Sequence, residues 1–486
     1  MVKKIIKKVV KKAKVIKSPA TAYDVVIIGG GPAGLMAACQ AGGAGKKVLV
    51  LEKNDELGKK LLISGGGRCN LTNANPNHRE FVSKYGKKGD FLFSPFSIFG
   101  VPETIKFFND LGLETKIEPG FRVFPVSDNS ADVLNILVNQ AKKLGVEFKL
   151  SAEVASLSPS LDKVSFGMGS KTQDFEYSVS GKREVYCSCK EGARGQLKNQ
   201  KRIKSVVLLS GEEISAHKFI LATGGMSHPE TGSTGDGFKW LKEIGHKVTT
   251  PNPSLVPVKV SNPWIAELSG ISLDAVGISV WVNQGGFKKV LTKKGRILFT
   301  HVGLTGPTIL NMSKAIGEYL EYPNPEDGRA GGEVLISLDL FSGVGLDQMH
   351  EMMLKTFTEH INKKIKNLVF PQVPGKIFEL ILKQLEIDPE WEINEIRREE
   401  RLALIEKFKK FELTASGLLG FDKAIITSGG LDLGEVDFKT MGSKLYDNLY
   451  FAGDILDFDR PSGGFSLQLC WTTGYIAGKS SVNGLK

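Results

Sequence analysis

Apolar residues near the start of the chain fall into two short continuous runs, Tyr23–Ile28 and residues 47–51, with small residues at helical spacing over 32–44 between them. Short apolar runs bounded by glycine suit strands buried on both faces, so this stretch predicts a β-α-β unit ending at acidic Glu52. Residues 131–144 carry an amphipathic helical pattern, and 146–150 and 154–157 read as further strands. The polar stretch 165–204, rich in Lys, Gly and Ser, predicts an extended surface hairpin. An apolar strand at 219–222 then runs into Thr223, Gly224 and Gly225.

From Pro251 the pattern changes. Pro251, Pro253, Pro257 and Pro263 punctuate short alternating segments such as 278–282, which predicts a small β domain. Helical spacing takes over at Met349, Met352, Met353, Phe357, Ile361, Ile365 and Leu368, and again over 377–385 and 402–411. The methionine stripe reads as a core face. After Ile425 the chain is again punctuated by glycine, so both ends of the chain are expected to build one domain around an insert. The expected division is a tail at 1–22, a nucleotide-binding domain at 23–250 and 428–486, and an insert at 251–427, mainly β over 251–345 and helical over 346–412.

Charge changes this picture at one end only. The net charge is +11, but eight lysines and no acids lie in residues 1–17, and removing them leaves +3 for the body. A near-neutral body argues against a nucleic-acid partner. The tail pairs apolar Ile5, Ile6, Val9 and Val10 between lysines. It suits a weak contact with a membrane surface or polyanion, or simply a disordered solubilising tail. It fits neither a secretory signal nor a transit peptide, and the expected location is cytoplasmic. Five scattered cysteines, Cys39, Cys69, Cys187, Cys189 and Cys470, show no zinc or disulfide spacing. The uncharged stretch 25–45 is broken by seven glycines and Pro32, so no membrane span is expected.

The candidate chemistry begins with Gly29, Gly31 and Gly34, a G-x-G-x-x-G directly after a strand and at the opening of a helix, with Glu52 ending the next strand. Gly29 allows the turn, Gly31 admits a pyrophosphate, Gly34 permits close packing, and the helix N-terminus offers free N–H groups. Glu52 can accept from a ribose diol. This motif alone leaves FAD and NAD open. The glycine-rich loop 58–73, the strand end at 222–225 with Thr223 and Gly224, and the segment 450–454, which places Asp454 to bind a polyol, add three remote contact regions. An extended ligand follows, and that is FAD. The loop 58–73 holds no histidine, so the cofactor is expected to be non-covalent.

The loop GKKLLISGGGRCNLTN, the run TGSTGDGF, the segment LFTHVGLTGPTIL, the TSGG at 427–430 and the closing FAGDILDFDRPSGGFSLQLCWTTGYIAG together resemble the bacterial HI0933-like flavoproteins, a group with enzymes described as aminoacetone oxidases and bile-acid enoyl reductases. The resemblance covers nearly all of 23–478. It implies an α/β fold, a Rossmann-type FAD domain of the two-dinucleotide-binding-domain kind interrupted by a β-barrel-like piece and a helical region. It also implies FAD contacts at Gly31, Ala33, Gly34, Glu52, Lys53, Lys60, Gly66, Gly67, Arg68, Cys69, Asn70, the backbone of Val154, Gly453, Asp454, Gly464, Phe465 and Ser466. Three places depart from the family pattern: Asp454 replaces a common Glu, His228 stands where Tyr is usual, and 469–473 differs from a small-aromatic-serine run.

Flavin carries the hydride chemistry, so the protein must position a substrate and manage charge. The helix expected after Ser462, Gly463 and Gly464 can present N–H groups to the flavin. His301, in a glycine-flanked loop, is a candidate for proton transfer, against a loop histidine bonded to backbone. Arg122 is a candidate for binding a substrate carbonyl or carboxylate, against an arginine that ties down a loop. Cys69 reads as a packed thiol rather than a redox group, and no metal-ligand cluster is present. The leading reading is an FAD-dependent oxidoreductase acting on a small organic substrate, with NAD(P)H as candidate electron donor and an enone-like alkene as the favoured acceptor. The rivals are an amine or alcohol oxidase, a flavin-dependent RNA-modifying protein, and a flavin-binding interaction protein held at membranes by the tail.

Overall fold

The computed structural model describes residues 23–161, 201–283, 285–321 and 333–485. The lysine tail, most of the expected polar hairpin, Cys187 and Cys189 lie outside the described residues.

The first strand β1 (Tyr23–Ile28), helix α1 (Pro32–Gly43) and strand β2 (Val48–Leu51) form the expected β-α-β unit. With β3 (Glu147–Lys149), β4 (Glu213–Leu221) and β5 (Leu449–Phe451) they build a five-stranded parallel sheet in the order β5-β4-β1-β2-β3. The strands β1 and β2 are buried along almost their whole length, with α1 packed against both, which is why they read as unbroken apolar runs. Strand β4 also pairs antiparallel with Lys201–Leu208, which pairs in turn with Val154–Leu161.

The helix α2 (Phe465–Ser481) runs beside α1 in near backbone contact. A Cβ on Gly474 would lie 2.4 Å from the carbonyl oxygen of Ala33, and one on Gly478 equally close to Ala37. The glycines make the helix pair possible.

Six further strands close a barrel, Val258–Val260, Gly303–Thr305, Phe287–Thr300, Ser272–Asn283, Val334–Asp339 and Phe411–Leu418. It has a hydrophobic core separate from that of the parallel sheet. Where the chain crosses between the two, Val248–Ser254 and Ile426–Leu431 pair antiparallel and tie the outgoing and returning strands together.

Two sequence expectations differ from the structure. The stretch 251–345 contains a 15-residue helix, Pro307–Glu321, which starts at a proline after Gly306 in the left-handed region. The helical stripe from Met349 to Leu368 is not one helix: it ends at Glu359. Beyond it Ile361 is exposed, and a bridge between Lys364 and Glu392 replaces helical bonding while Ile365 and Leu368 still reach the core.

Candidate functional site

The carboxyl ends of β1, β2, β4 and β5 lie at the same edge of the parallel sheet, where ligands of such folds bind. Four segments remote in sequence therefore meet around one slot. Its lining includes Gly29, Gly31 and Ala33 after β1, Glu52 and Lys53 after β2, Thr223 and Gly224 after β4, and Gly453 and Asp454 after β5, together with Val154 beyond β3.

The donor set fits a dinucleotide. At Gly31 a Cβ would meet no protein atom within 4 Å, so the backbone leaves open space above the helix N-terminus where a pyrophosphate belongs. Gly34 works differently and lines no slot: a Cβ there would sit 1.9 Å from the carbonyl oxygen of Gly29, so it serves the close packing of α1 on the turn. Glu52 is buried, and its carboxylate accepts from the N–H of Gly30 at 2.8 Å, the N–H of Asn54 at 2.9 Å and Asn54 Nδ2 at 2.8 Å. A carboxylate has about four lone-pair directions, so one remains for a ribose hydroxyl. FAD would be held along this slot by the helix N-terminus, Glu52 and Asp454, and when bound it supplies two-electron hydride chemistry.

A second cavity of about 930 Å³ adjoins the slot and shares Pro32, Lys60, Asp454 and Cys470 with it. It collects the other expected contacts, Gly66, Arg68, Asn70, Gly464, Phe465 and Ser466, and also Arg122 and His228. Gly464, in the left-handed region, caps α2, whose first N–H groups start at the cavity wall. The ring of Phe465 packs against Phe81 and Tyr85, so its N–H is the group it offers a ligand. Asp454 is fixed by Arg460, which also donates to Ser466 Oγ at 3.0 Å and the carbonyl of Phe458 at 2.9 Å. Burial holds the Lys60 amine below the usual lysine range, and its Nζ donates to Ser227 Oγ at 2.7 Å. Lys60 is deep in the molecule yet keeps surface toward both cavities.

Several expected residues sit elsewhere or are already engaged. His301 is exposed in the tight turn between Phe287–Thr300 and Gly303–Thr305 of the barrel and lines neither cavity, because the left-handed Gly303 folds the chain back before the helix that does reach the site. Arg68 is bonded to Glu118 and Asp128 and lies 4.2 Å over the Phe124 ring, so its charge is neutralised within the protein. Cys69 is fully buried and lines neither cavity, and burial pushes its thiol up to about 12, which leaves it inert. Gly67 also lines neither. Arg122 is at the larger cavity, donating through Nε to the Pro119 carbonyl at 3.1 Å.

Sequence reasoning passed over residues 231–236 as contacts, although they line the slot; their signal was the glycine spacing in TGSTGDG. Lys53 Nζ bonds Asp236 there at 2.8 Å. It also missed Pro307, Leu310 and Asn311, which bring the insert to the cavity, with Asn311 Oδ1 accepting from the N–H of Ser462 at 3.0 Å. Among the described residues no metal-ligand cluster is present, and no helix is long and apolar enough to cross a membrane.

A dinucleotide slot at the carboxyl edge of a parallel sheet, meeting a roomy second cavity at its far end, defines the class of FAD-dependent oxidoreductases. The chain belongs to the family described as HI0933-like protein Rossmann domain, which matches residues 23–180 and 180–480. It is 27% identical over 462 residues to the 3-dehydro-bile acid delta(4,6)-reductase of Clostridium scindens, covering 94% of this chain and 98% of that protein. It is also 27% identical over 465 residues to the ribosomal RNA dihydrouridine synthase of Escherichia coli, covering 94% and 99%. Among solved structures, 3-ketosteroid-delta4-(5alpha)-dehydrogenase from Rhodococcus jostii RHA1 aligns with a TM-score of 0.49 and 16% identity over 97% of this chain and 99% of that one.

Proposed function

We propose that this flavoprotein saturates a carbon–carbon double bond conjugated to a carbonyl, drawing its electrons from NAD(P)H. The observation that supports this reading is the junction of the two cavities at Pro32, Lys60, Asp454 and Cys470, through which a ligand in the larger space would meet a cofactor bound in the slot. A conjugated carbonyl lets negative charge develop on oxygen, and Arg122 on the cavity wall is suited to bind that oxygen. The N-terminal N–H groups of α2 are suited to offset negative charge on the reduced cofactor. The names of the two relatives support the bond class, since each describes saturation of a ring alkene next to a carbonyl. A small enone is the substrate we favour.

A uracil ring in RNA is the second reading. It is favoured by the name of the Escherichia coli relative and by the lining of the larger cavity, which includes exposed Phe121 together with Arg122 and Lys84. An exposed aromatic beside cations suits a stacked base.

Anaerobic bleaching of the FAD by NADH or NADPH, followed by challenge with a 3-oxo-4-ene steroid, uridine-containing RNA, oxygen and primary amines, tests both. Reoxidation with a saturated steroid supports the first reading, and dihydrouridine in the RNA supports the second. Reduction of the FAD by an amine, with oxygen as the efficient acceptor, would make the protein an oxidase and overturn both.

A further inference from the structure

We propose that His228 is the proton donor of this site, with its ring oriented by Glu230 so that Nε2 serves the cavity. The inference rests on the alkene-reducing reading above and names the group that completes it.

Saturating a conjugated alkene needs a hydride at one carbon and a proton at its neighbour. Among the described residues of the larger cavity few side chains can deliver that proton. Arg68 and Arg122 stay charged at any relevant pH. Cys470 is a thiol pushed up to about 12 by burial. His301 is outside the cavity. Lys84 is paired with Glu80, Asp454 is held by Arg460 and Lys60 donates to Ser227, which leaves His228.

His228 is held at every point of its backbone. Its N–H donates to the carbonyl of Phe421 at 2.9 Å, and its own carbonyl accepts from Thr231 N at 2.9 Å and Thr231 Oγ1 at 2.7 Å. The residue sits in the left-handed region, with φ 51° and ψ 62°, a conformation unusual for a side chain with a Cβ. Phe421 follows the last barrel strand, so the clamp joins the insert to the nucleotide-binding domain beside the cavity that His228 lines. Nδ1 lies 2.8 Å from Glu230 Oε1, and the hydrogen bond with His228 holds that carboxyl below the usual range. A carboxylate on Nδ1 fixes the tautomer and ring orientation. Nε2 has no partner among the described residues and is the nitrogen left for a ligand.

The step balances as follows. FAD, when bound and reduced, would supply a hydride with its two electrons for the carbon remote from the carbonyl. The π pair of the alkene forms the second C–H bond with the proton leaving Nε2. His228 is left neutral with its proton on Nδ1, bonded to Glu230, and solvent restores the Nε2 proton through the open mouth. Glu230 is itself under the influence of Lys423, and the cavity that His228 lines also carries Lys60, Arg68, Glu80, Lys84, Arg122 and Asp454.

The test compares holoenzyme carrying His228→Phe, His228→Tyr, Glu230→Gln and Lys60→Met with the unaltered protein. Each is reduced with dithionite and then reoxidised by whichever probe, the 3-oxo-4-ene steroid or uridine-containing RNA, reoxidises the unaltered protein. His228→Phe should slow reoxidation by about 100-fold or more, the range of a lost general acid, while dithionite reduction proceeds normally. His228→Tyr, which keeps an O–H donor, should recover part of the loss. Glu230→Gln should slow reoxidation by about 10-fold. Histidine ¹⁵N resonances of the oxidised holoenzyme provide a readout without turnover: neutral His228 should carry its proton on Nδ1, and Glu230→Gln should weaken that preference. A proton on Nε2 in the neutral ring would overturn the proposal. So would a His228→Phe protein that reoxidises normally, or one in which only Lys60→Met reproduces the loss. If neither probe reoxidises the unaltered protein, the alkene-reducing reading itself fails and takes this proposal with it.

Discussion

Arg460 is bonded to Asp454 with its side chain fully buried, so one of the carboxylates at the junction of the two cavities is held by a cation that solvent does not reach. Truncation of one member of such a pair leaves the other charge uncompensated, at a cost of about 3–5 kcal/mol. Arg460→Met should therefore lower the thermal midpoint and loosen FAD together, because Asp454 and Ser466 lose their common anchor. A thermal scan with flavin fluorescence checks both, and an unchanged midpoint would show that the pair is not needed.

Glu52 joins the phosphate turn to the ribose end of the slot through its bonds to Gly30 and Asn54. Hydrogen bonds to a charged group contribute about 1.5–3 kcal/mol, so Glu52→Ala should weaken FAD retention by roughly 10- to 150-fold. Glu52→Gln, which keeps the shape, should lose less. A dilution series with free-flavin fluorescence measures retention, and wild-type behaviour of both variants would remove Glu52 from the ligand shell.

Gly474 tests the helix pair. In most helices Gly→Ala gains about 1 kcal/mol of propensity, but here the new methyl would lie 2.4 Å from the Ala33 carbonyl oxygen, a backbone atom that cannot move without separating α1 from α2. Overpacking of this kind costs about 1–3 kcal/mol, so Gly474→Ala should destabilise on balance. Urea unfolding gives the sign, and a stabilised variant would contradict it.

Stability should fall on mild acidification through His246. Its side chain is buried, with Nδ1 2.6 Å from Glu435 Oε2 and Nε2 3.1 Å from Ser443 Oγ. Burial lowers its pKa below the ordinary imidazole value, and this outweighs the opposing effect of Glu435. The unfolded chain then binds the proton more readily than the folded one. The contribution is intact above the unfolded value of about 6.5 and is lost as pH drops from there toward the lower folded value. His246→Gln should flatten the thermal midpoint between pH 7 and 5.5, in the range of that titration. A wild-type midpoint that rises on acidification would invert the sign and refute the assignment.

FAD should be released intact when the protein is precipitated with acid. Neither cavity is lined by a cysteine or histidine except Cys470 and His228, and Cys470 is a buried thiol of raised pKa, poorly suited to a covalent link. Yellow polypeptide after precipitation, or FMN in the supernatant, would contradict the non-covalent dinucleotide.

Local pattern determined a good deal. The β-α-β unit at residues 23–51 was legible because buried parallel strands must be continuously apolar and the turn after Ile28 needs its glycines, and both constraints act within thirty residues. The resemblance carried in motifs such as GGGRCN gave the family. What the sequence left undetermined is which remote residues share a surface. His301 and His228 both lie close to glycines in sequence, His301 before Gly303 and Gly306 and His228 after Gly224 and Gly225, yet the turn before Gly303 keeps one in solvent while the clamp to Phe421 holds the other at the cavity. Arg68 sat in the expected loop, but Glu118 and Asp128, some fifty and sixty residues away, claim its charge. Such choices depend on long-range pairing of charges and strands, a property of the packed chain that no local spacing encodes.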